Sequence, residues 1–229
     1  MNVTALIPVK GFRNAKQRLS PLLGAAEREV FAQTMFRDVL REVVAARGLA
    51  GAYVVTGDDE VAEIAASFRA EVIRERAESG ETDAVNFARA ELQRAGCEAV
   101  LILPGDMPLV RGVDIEEVLA QVPGGAGPPF ALLVPSHDRM GTNALLLAPP
   151  DIIKLRFGYD SFSFHMSQVS ARGLPPRFIE NERIALDIDE PEDLQRLLSF
   201  NDEARESTRI ARAMLAQHAA GNARRSGGL

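Results

Sequence analysis

The sequence predicts an α/β fold: a mostly parallel sheet covered by helices on both faces, in three layers. Three observations lead there. Short runs rich in Val, Ile and Leu alternate with longer stretches whose apolar residues recur at helical spacing, the rhythm of βαβ units. The runs are short enough for buried strands. With 46% hydrophobic and 25% charged side chains, 229 residues supply one sizeable core.

Taken in order, the strands are expected at 3–9, 52–56, 71–74, 99–103, 131–135 and 143–147, and the helices at 25–46, 59–67, 82–95 and 114–122. In the first helix Val30, Phe31, Met35, Val39, Leu40 and Val43 mark a broad apolar stripe, which is core packing. After Leu147 the rhythm changes. Pro149, Pro150, Pro175 and Pro176 bracket 151–172, where Phe157, Tyr159, Phe162, Phe164 and His165 cluster, and this reads as a loop and helix inserted over the sheet's edge. Apolar stretches at 178–179 and 184–188 lead into a helix at 191–198. A second helix of mixed polarity follows at 201–220, and the Gly, Ser and Arg content of 221–229 is that of a frayed tail. The chain therefore divides into a domain over 1–200 and a C-terminal helix with flexible tail over 201–229.

Composition narrows function. A net charge of −6 and a pI near 5.2 argue against a general nucleic-acid or membrane-surface binder. No run approaches the roughly 20 apolar residues needed to cross a bilayer, and Lys10 interrupts the first one, so a cytoplasmic protein is expected. Cys97 is the sole cysteine, which excludes an intramolecular disulfide, and its setting at the entry to a strand suggests a buried thiol. The charge is unevenly spread: no carboxylate precedes Glu27, while Lys10, Arg13, Lys16 and Arg18 fall within nine residues. That is a local anion site on an acidic protein.

In open α/β sheets ligands bind beyond the carboxyl ends of strands, and three such loops stand out. The first is Pro8-Val9-Lys10-Gly11, continuing through Lys16 and Arg18. Its glycine admits close backbone approach and its cations suit phosphate oxygens, although it is neither a Walker loop nor Gly-x-Gly-x-x-Gly. The second is Pro104-Gly105-Asp106-Met107-Pro108, where Asp106 can hold Mg²⁺ or can simply satisfy turn amides. The third is Leu186-Asp187-Ile188-Asp189-Glu190-Pro191-Glu192. Strand alternation puts Asp187 and Asp189 on one face, where both can converge on a metal. Asp189 also reads as the cap of the next helix, with an acid three residues on. Capping leaves Asp187 unexplained, and a carboxylate inside an apolar strand calls for a cation.

Other segments are weaker. Gly80 to Asn86 opens a helix on which a base could rest, Gly141-Thr142-Asn143 offers a hydroxyl and open amides, and Gly158 to Ser161 offers the same at a helix start. His137, His165 and His218 are too scattered for a histidine metal site, and there is no Gly-x-Ser-x-Gly elbow for a hydrolase.

Together, Ile7-Pro8-Val9-Lys10 with Ala15-Lys16-Gln17-Arg18-Leu19-Ser20, then Gly105-Asp106-Met107-Pro108-Leu109, Gly141-Thr142-Asn143-Ala144-Leu145, Phe157-Gly158-x-x-Ser161-Phe162-x-x-His165 and Leu186-Asp187-Ile188-Asp189-x-Pro191-x-Asp193-Leu194 resemble, in order, the 2-phospho-L-lactate guanylyltransferase family of coenzyme F-420 biosynthesis. The resemblance covers about residues 3–198.

The resemblance implies a three-layer Rossmann-like nucleotidyltransferase fold, similar to glycosyltransferase-A. It implies transfer of GMP from GTP to 2-phospho-L-lactate, phosphoenolpyruvate or 3-phospho-D-glycerate with release of pyrophosphate. It places metal carboxylates on Asp106, Asp187 and Asp189 for Mg²⁺, and phosphate-binding lysines on Lys10 and Lys16, with Arg18 beside them. The acid contacts fall on Thr142, Gly158 and Ser161, and the nucleotide lies along Pro8, Lys10, Gly11, Gly80 and Asn86. The base loop departs from the pattern Gly-x-x-Leu-Asn, since Val85 precedes Asn86. A downstream transferase that accepts the activated acid is the implied partner. The helix at 201–220 can pack on its own domain or on a second copy in a homodimer. Two alternatives stand beside this reading. A molybdopterin or sugar-phosphate nucleotidyltransferase is disfavoured by the single glycine between Ile7 and Arg18. A non-catalytic nucleotide-binding protein is disfavoured by the intact acidic trio.

Overall fold

A computed structural model describes residues 1–75, 80–123 and 129–226, with side chains as far as residue 219. Among them, β1 (Val3–Pro8) lies at the centre of a six-stranded sheet. It is flanked in parallel by β2 (Leu49–Thr56) and β4 (Ala99–Ile102), and β3 (Glu71–Arg74) extends the β2 side in parallel. The order is β3-β2-β1-β4-β6-β5. Because the chain moves to one side of β1 through β2 and β3 and then returns to the other through β4, the carboxyl ends of β1 and β4 form the switch point where such sheets bind ligands.

The far side differs from a plain βα repeat. β5 (Phe130–Pro135) and β6 (Thr142–Ala148) form an antiparallel pair, and β6 also runs antiparallel to β4, with Ile102 opposite Leu145. Their turn is closed by Ser136, whose Oγ accepts from the Gly141 amide at 2.7 Å. The reversal has a functional consequence: Thr142 and Asn143, at the start of β6, lie next to the carboxyl end of β4. The stretch 184–188 is no strand. Ile184, Leu186 and Ile188 are buried, which is why the sequence alternates there, but the segment joins no ladder.

Helices cover both faces. α1 (Ala25–Ala45), α2 (Asp59–Ser67) and α4 (Gly112–Leu119) bury Phe36, Val61 and Ile115 against Ala5, Ile7 and Leu101. On the opposite face α3 (Glu81–Arg94) and α5 (Ser161–Ala171) bury Val85, Ala88 and Val169 against Leu6, Ile102 and Leu133. Alternate strand residues thus feed two separate cores. Val30 departs from the expected stripe of α1 and is exposed, as is Val44 near the helix's end. Cys97 is half-buried rather than buried, its Sγ donating to the Ala99 carbonyl at 3.0 Å.

α6 (Pro191–Ser199) and α7 (Glu206–Ser226) close a third cluster with α1, in which Met35, Leu194, Leu197 and Ala211 pack together. α7 is tied down by the fully buried Asp38, whose carboxylate accepts from the Ser207 amide at 2.9 Å and hydroxyl at 2.7 Å. The boundary expected at residue 200 falls in the turn between α6 and α7. α7 continues to Ser226, past the start of the expected tail, and 227–229 lie outside the described residues. Among the described residues no helix is long and apolar enough to cross a membrane.

Candidate active site

The loop after β1 turns so sharply that Asn14 and Lys16 both adopt left-handed backbone conformations, at φ 62° and 52°. Such a conformation costs an L-residue roughly 1–2 kcal/mol. What holds Lys16 there is its ammonium, which lies 2.5 Å from Asp106 and 2.8 Å from Asp189 with its side chain almost wholly buried. Burial pulls the Lys16 ammonium down, but the two carboxylates outweigh it and raise its pKa above the ordinary lysine value. Lys10 is exposed on the same loop, and Arg18 reaches outward to pair with Glu190 at 3.1 Å. Gly11 is required by packing, because a Cβ there would stand 2.9 Å from an Asp58 carboxylate oxygen.

Asp106 follows β4 through Gly105, where a Cβ would collide with Val9 at 2.7 Å. The side chain does not serve turn amides. Its Oδ2 takes Lys16, and its Oδ1 is buried with no hydrogen-bond partner among the described residues. The Asp106 carbonyl accepts from the Ile188 amide at 3.2 Å, which stitches the third loop to the second.

That third loop is anchored from below. Asp114, in the first turn of α4, accepts from Asn181 at 2.9 Å and from Arg183 Nε at 2.7 Å, while Asn143 donates both to the Ile184 carbonyl and to Asp187 Oδ1 at 3.0 Å. The helix cap differs from the sequence expectation. Glu190 is the N-cap of α6, and Asp193 accepts from the Glu190 amide at 2.8 Å and from the Asp189 amide at 3.0 Å. The Asp189 carboxylate is therefore released from capping and goes to Lys16, which with Arg18 outweighs the effect of burial and lowers its pKa. Among the described residues Asp187 has no ion-pair partner. Burial, then the neighbouring Asp106, pushes it up to about 6 despite the Asn143 hydrogen bond.

Glu81 joins this cluster. It opens α3, and burial followed by the charge of Asp106 lifts its carboxyl to about 7 against the opposing pull of Lys10. The sequence hides it, since an acid in the first turn of a helix is ordinary.

Thr142, Gly158 and Ser161 also meet. Gly158 holds φ +96°, a conformation that favours glycine, and its carbonyl accepts from the Ser161 amide at 3.2 Å. His165 lies behind them, fully buried between the ring edges of Phe157 and Phe164. Burial, with Arg156 and Arg89 nearby, holds its imidazole down at about 4.

Two cavities converge here. One, about 360 Å³, is lined by Pro8, Lys10, Gly11 and Lys16; the other, about 480 Å³, by Arg18, Thr142, Gly158, Ser161 and Asp187. Glu81, Pro104, Asp106 and Asp189 line both. The structure thus brings together most of the residues picked out in the sequence. Asn86 stands apart: it lines a different cleft, with Arg89, Asp151 and Lys154, and its buried Oδ1 has no partner among the described residues. Gly80 caps α3 at φ +95°, with open space about it.

The carboxylates suit a hard cation. Among the described residues no three acids close into a ready metal cage. Mg²⁺, however, needs only one or two carboxylates when substrate phosphates complete its shell. The unpartnered Asp106 Oδ1 and the uncompensated Asp187 offer such oxygens.

Comparison with known proteins decides the family. Residues 3–216 match the family described as guanylyl transferase CofC like. The chain belongs to this family. It is 34% identical over 217 residues to the phosphoenolpyruvate guanylyltransferase of Conexibacter woesei, covering 95% of this chain and 96% of that one. It is 32% identical to the 2-phospho-L-lactate guanylyltransferase of Methanothermobacter thermautotrophicus, covering 93% and 92%. The fold is shared with a crystal structure from Desulfovibrio desulfuricans assigned as a nucleotide-diphospho-sugar transferase, at TM-score 0.76, 17% identity and coverage of 95% and 98%. This CofC-like chain therefore has the Rossmann-like nucleotidyltransferase architecture expected from the sequence.

Proposed function

We propose that this CofC-like protein transfers GMP from GTP to a small phosphorylated acid and releases pyrophosphate, the step that activates the acid for coenzyme F-420 biosynthesis. The observation that carries the reading is the meeting of two cavities across Asp106, Asp189 and Glu81. The one with Lys10, Gly11 and Lys16 suits a triphosphate, the one with Thr142, Gly158 and Ser161 suits the acid, and the reacting groups then meet at the shared wall. The relatives named for phosphoenolpyruvate and for 2-phospho-L-lactate support this acceptor class over a sugar phosphate or molybdopterin.

The chemistry asks little of a general base. A phosphomonoester loses its second proton near pH 6, so its oxygen already attacks as an anion at neutral pH. The difficulty is repulsion between a dianion and a triphosphate, and cations remove it. Lys10, exposed on the first loop, binds triphosphate oxygens and steadies the departing pyrophosphate, while Arg18, in the second cavity, meets the phosphate of the acid. Lys16 holds Asp106 and Asp189 in place and presents positive charge at the wall between the cavities. Mg²⁺, held by Asp106, Asp187 and Asp189, would supply charge neutralisation at the α-phosphate. A downstream transferase then consumes the activated acid.

The test is direct. The protein is incubated with GTP, Mg²⁺ and each of phosphoenolpyruvate, 2-phospho-L-lactate and 3-phospho-D-glycerate, and pyrophosphate is followed with a coupled transferase capturing the product. Release with one of them is expected; release with none rejects the proposal.

A further inference from the structure

We infer that His165 is a positioning residue for the phosphorylated acid: it fixes the Thr142 hydroxyl as an acceptor and so commits the threonine's own proton to donate into the acid cavity. The inference rests on the proposed guanylyl transfer and deepens it.

The hydrogen-bond polarity follows from the backbone. The Arg156 amide donates to His165 Nε2 at 3.1 Å, so Nε2 bears no proton. The ring, with 0% of its surface exposed, is neutral and must carry its proton on Nδ1. Nδ1 lies 3.0 Å from Thr142 Oγ1, which therefore accepts. A hydroxyl has one proton, and among the described residues that of Thr142 has no second partner. Thr142 lines the acid cavity beside Gly158 and Ser161, where an anionic phosphate or carboxylate oxygen would receive it. If the imidazole had the other tautomer, Thr142 would spend its proton on Nδ1 and turn only lone pairs toward an anion. The ring is held against rotation by the Phe157 and Phe164 edges, at 5.6 and 5.7 Å between centroids.

The arrangement also accounts for the placement of Arg156. Its guanidinium turns away to stack on Phe164 at 4.3 Å and to donate to the Asp160 carbonyl at 3.2 Å, so the residue's backbone amide rather than its charge addresses the histidine.

The experiment has two arms. In the first, two-bond ¹H–¹⁵N correlation of the intact protein reads the His165 tautomer, with no turnover needed. A neutral ring protonated on Nδ1 is expected at pH 7, and an Nε2-protonated or charged ring overturns the inference. In the second, steady-state kinetics with GTP, Mg²⁺ and the acid that the wild type turns over are measured for His165→Phe, His165→Asn, Thr142→Val and the Thr142→Val/His165→Phe double variant. His165→Phe should raise KM for the acid about 10- to 100-fold, the scale of a hydrogen bond to a charged group, and leave KM for GTP unchanged. His165→Asn, whose amide N–H stands where Nδ1–H stood, should recover to within about threefold of wild type. The double variant should be no worse than Thr142→Val alone. Equal losses toward GTP and acid, additive losses in the double variant, or failure of His165→Asn to recover overturns the positioning role. Should His165→Phe fail to fold, the asparagine variant and the tautomer measurement still decide. A wild type that releases no pyrophosphate with any acid defeats the guanylyl-transfer reading, and with it the acid half of this inference, while the tautomer result stands by itself.

Discussion

The Lys16 ammonium lies 2.5 Å from Asp106, from a backbone position with φ 52°, and the same nitrogen reaches Asp189 at 2.8 Å. One cation from the first loop thereby holds acids from the second and third, 90 and 173 residues away in the chain. Removing it leaves Asp106, Asp187, Asp189 and Glu81 facing one another. Lys16→Met should lower kcat/KM about 10²- to 10³-fold, the effect of deleting one charge-stabilising donor. It should also destabilise the metal-free chain by about 1–3 kcal/mol. Pyrophosphate release and urea unfolding check the two effects, and added Mg²⁺ should narrow the stability gap.

Asp187 is expected to show the opposite balance between stability and activity. Its carboxylate is buried beside Asp106 and accepts a hydrogen bond from Asn143. Asp187→Asn keeps an acceptor for that bond and removes the charge. The metal-free variant should be more stable than wild type by about 1 kcal/mol while activity falls at least about 100-fold, a trade expected where a site stores repulsion for its ligand. Melting curves with and without Mg²⁺ and GTP should show wild type gaining more from the ligands than the variant.

Asp114 acts at a distance from the chemistry. It accepts from Asn181, Arg183 and the Arg111 amide, and so ties the segment that carries Asp187 and Asp189 to the start of α4. Asp114→Ala removes the acceptor of three donors at a fully buried position, leaving Asn181 Nδ2 with its bond to Glu117, and a loss of about 2–4 kcal/mol in unfolding free energy is expected. Activity should fall at 25 °C even where the chain remains folded, because Ile184 to Asp189 lose their support.

Much of this was legible in the sequence, for reasons tied to particular residues. Continuous apolar runs such as Val3 to Ile7 reveal strands buried on both faces, and all six strands lie where periodicity puts them. Periodicity carries no direction, so the reversal of β6 that sets Thr142 beside Asp106 was invisible. Alternation at Ile184, Leu186 and Ile188 reports burial, which a strand and an unpaired segment share, and the segment still turns Asp187 and Asp189 to the same cluster. The cap of α6 lies one residue beyond Asp189, at Glu190, because Asp193 accepts from the Asp189 and Glu190 amides and the Asp189 carboxylate goes to Lys16, a tertiary contact that local sequence does not show. Glu81 and Asp114 were missed because first-turn acids are commonplace, and only the fold shows which of them face a site.

His165 gives a pH signature. Its folded pKa, about 4, lies below the unfolded value of 6.5, held down by burial and by Arg156 and Arg89. As pH falls through 6.5 the unfolded chain binds a proton that the folded chain refuses, so stability drops until about pH 4, where both forms are protonated. Between pH 7 and 5 this group should remove about 2 kcal/mol. Urea unfolding of wild type and His165→Asn at both values isolates the term: the wild type should lose that much more than the variant, and equal losses would contradict the assignment.

The proposed guanylyl transfer turns on the carboxylates gathered where the two cavities meet, Asp187 of the second cavity among them. Its most direct test is ³¹P spectroscopy of wild type and Asp187→Asn, each given GTP, Mg²⁺ and the three phosphorylated acids together. Pyrophosphate and one new phosphoanhydride-linked pair of phosphorus signals should grow with the wild type and be absent, or at least about 100-fold slower, with the variant. Equal rates for the two proteins, or GTP left intact by the wild type, would contradict it.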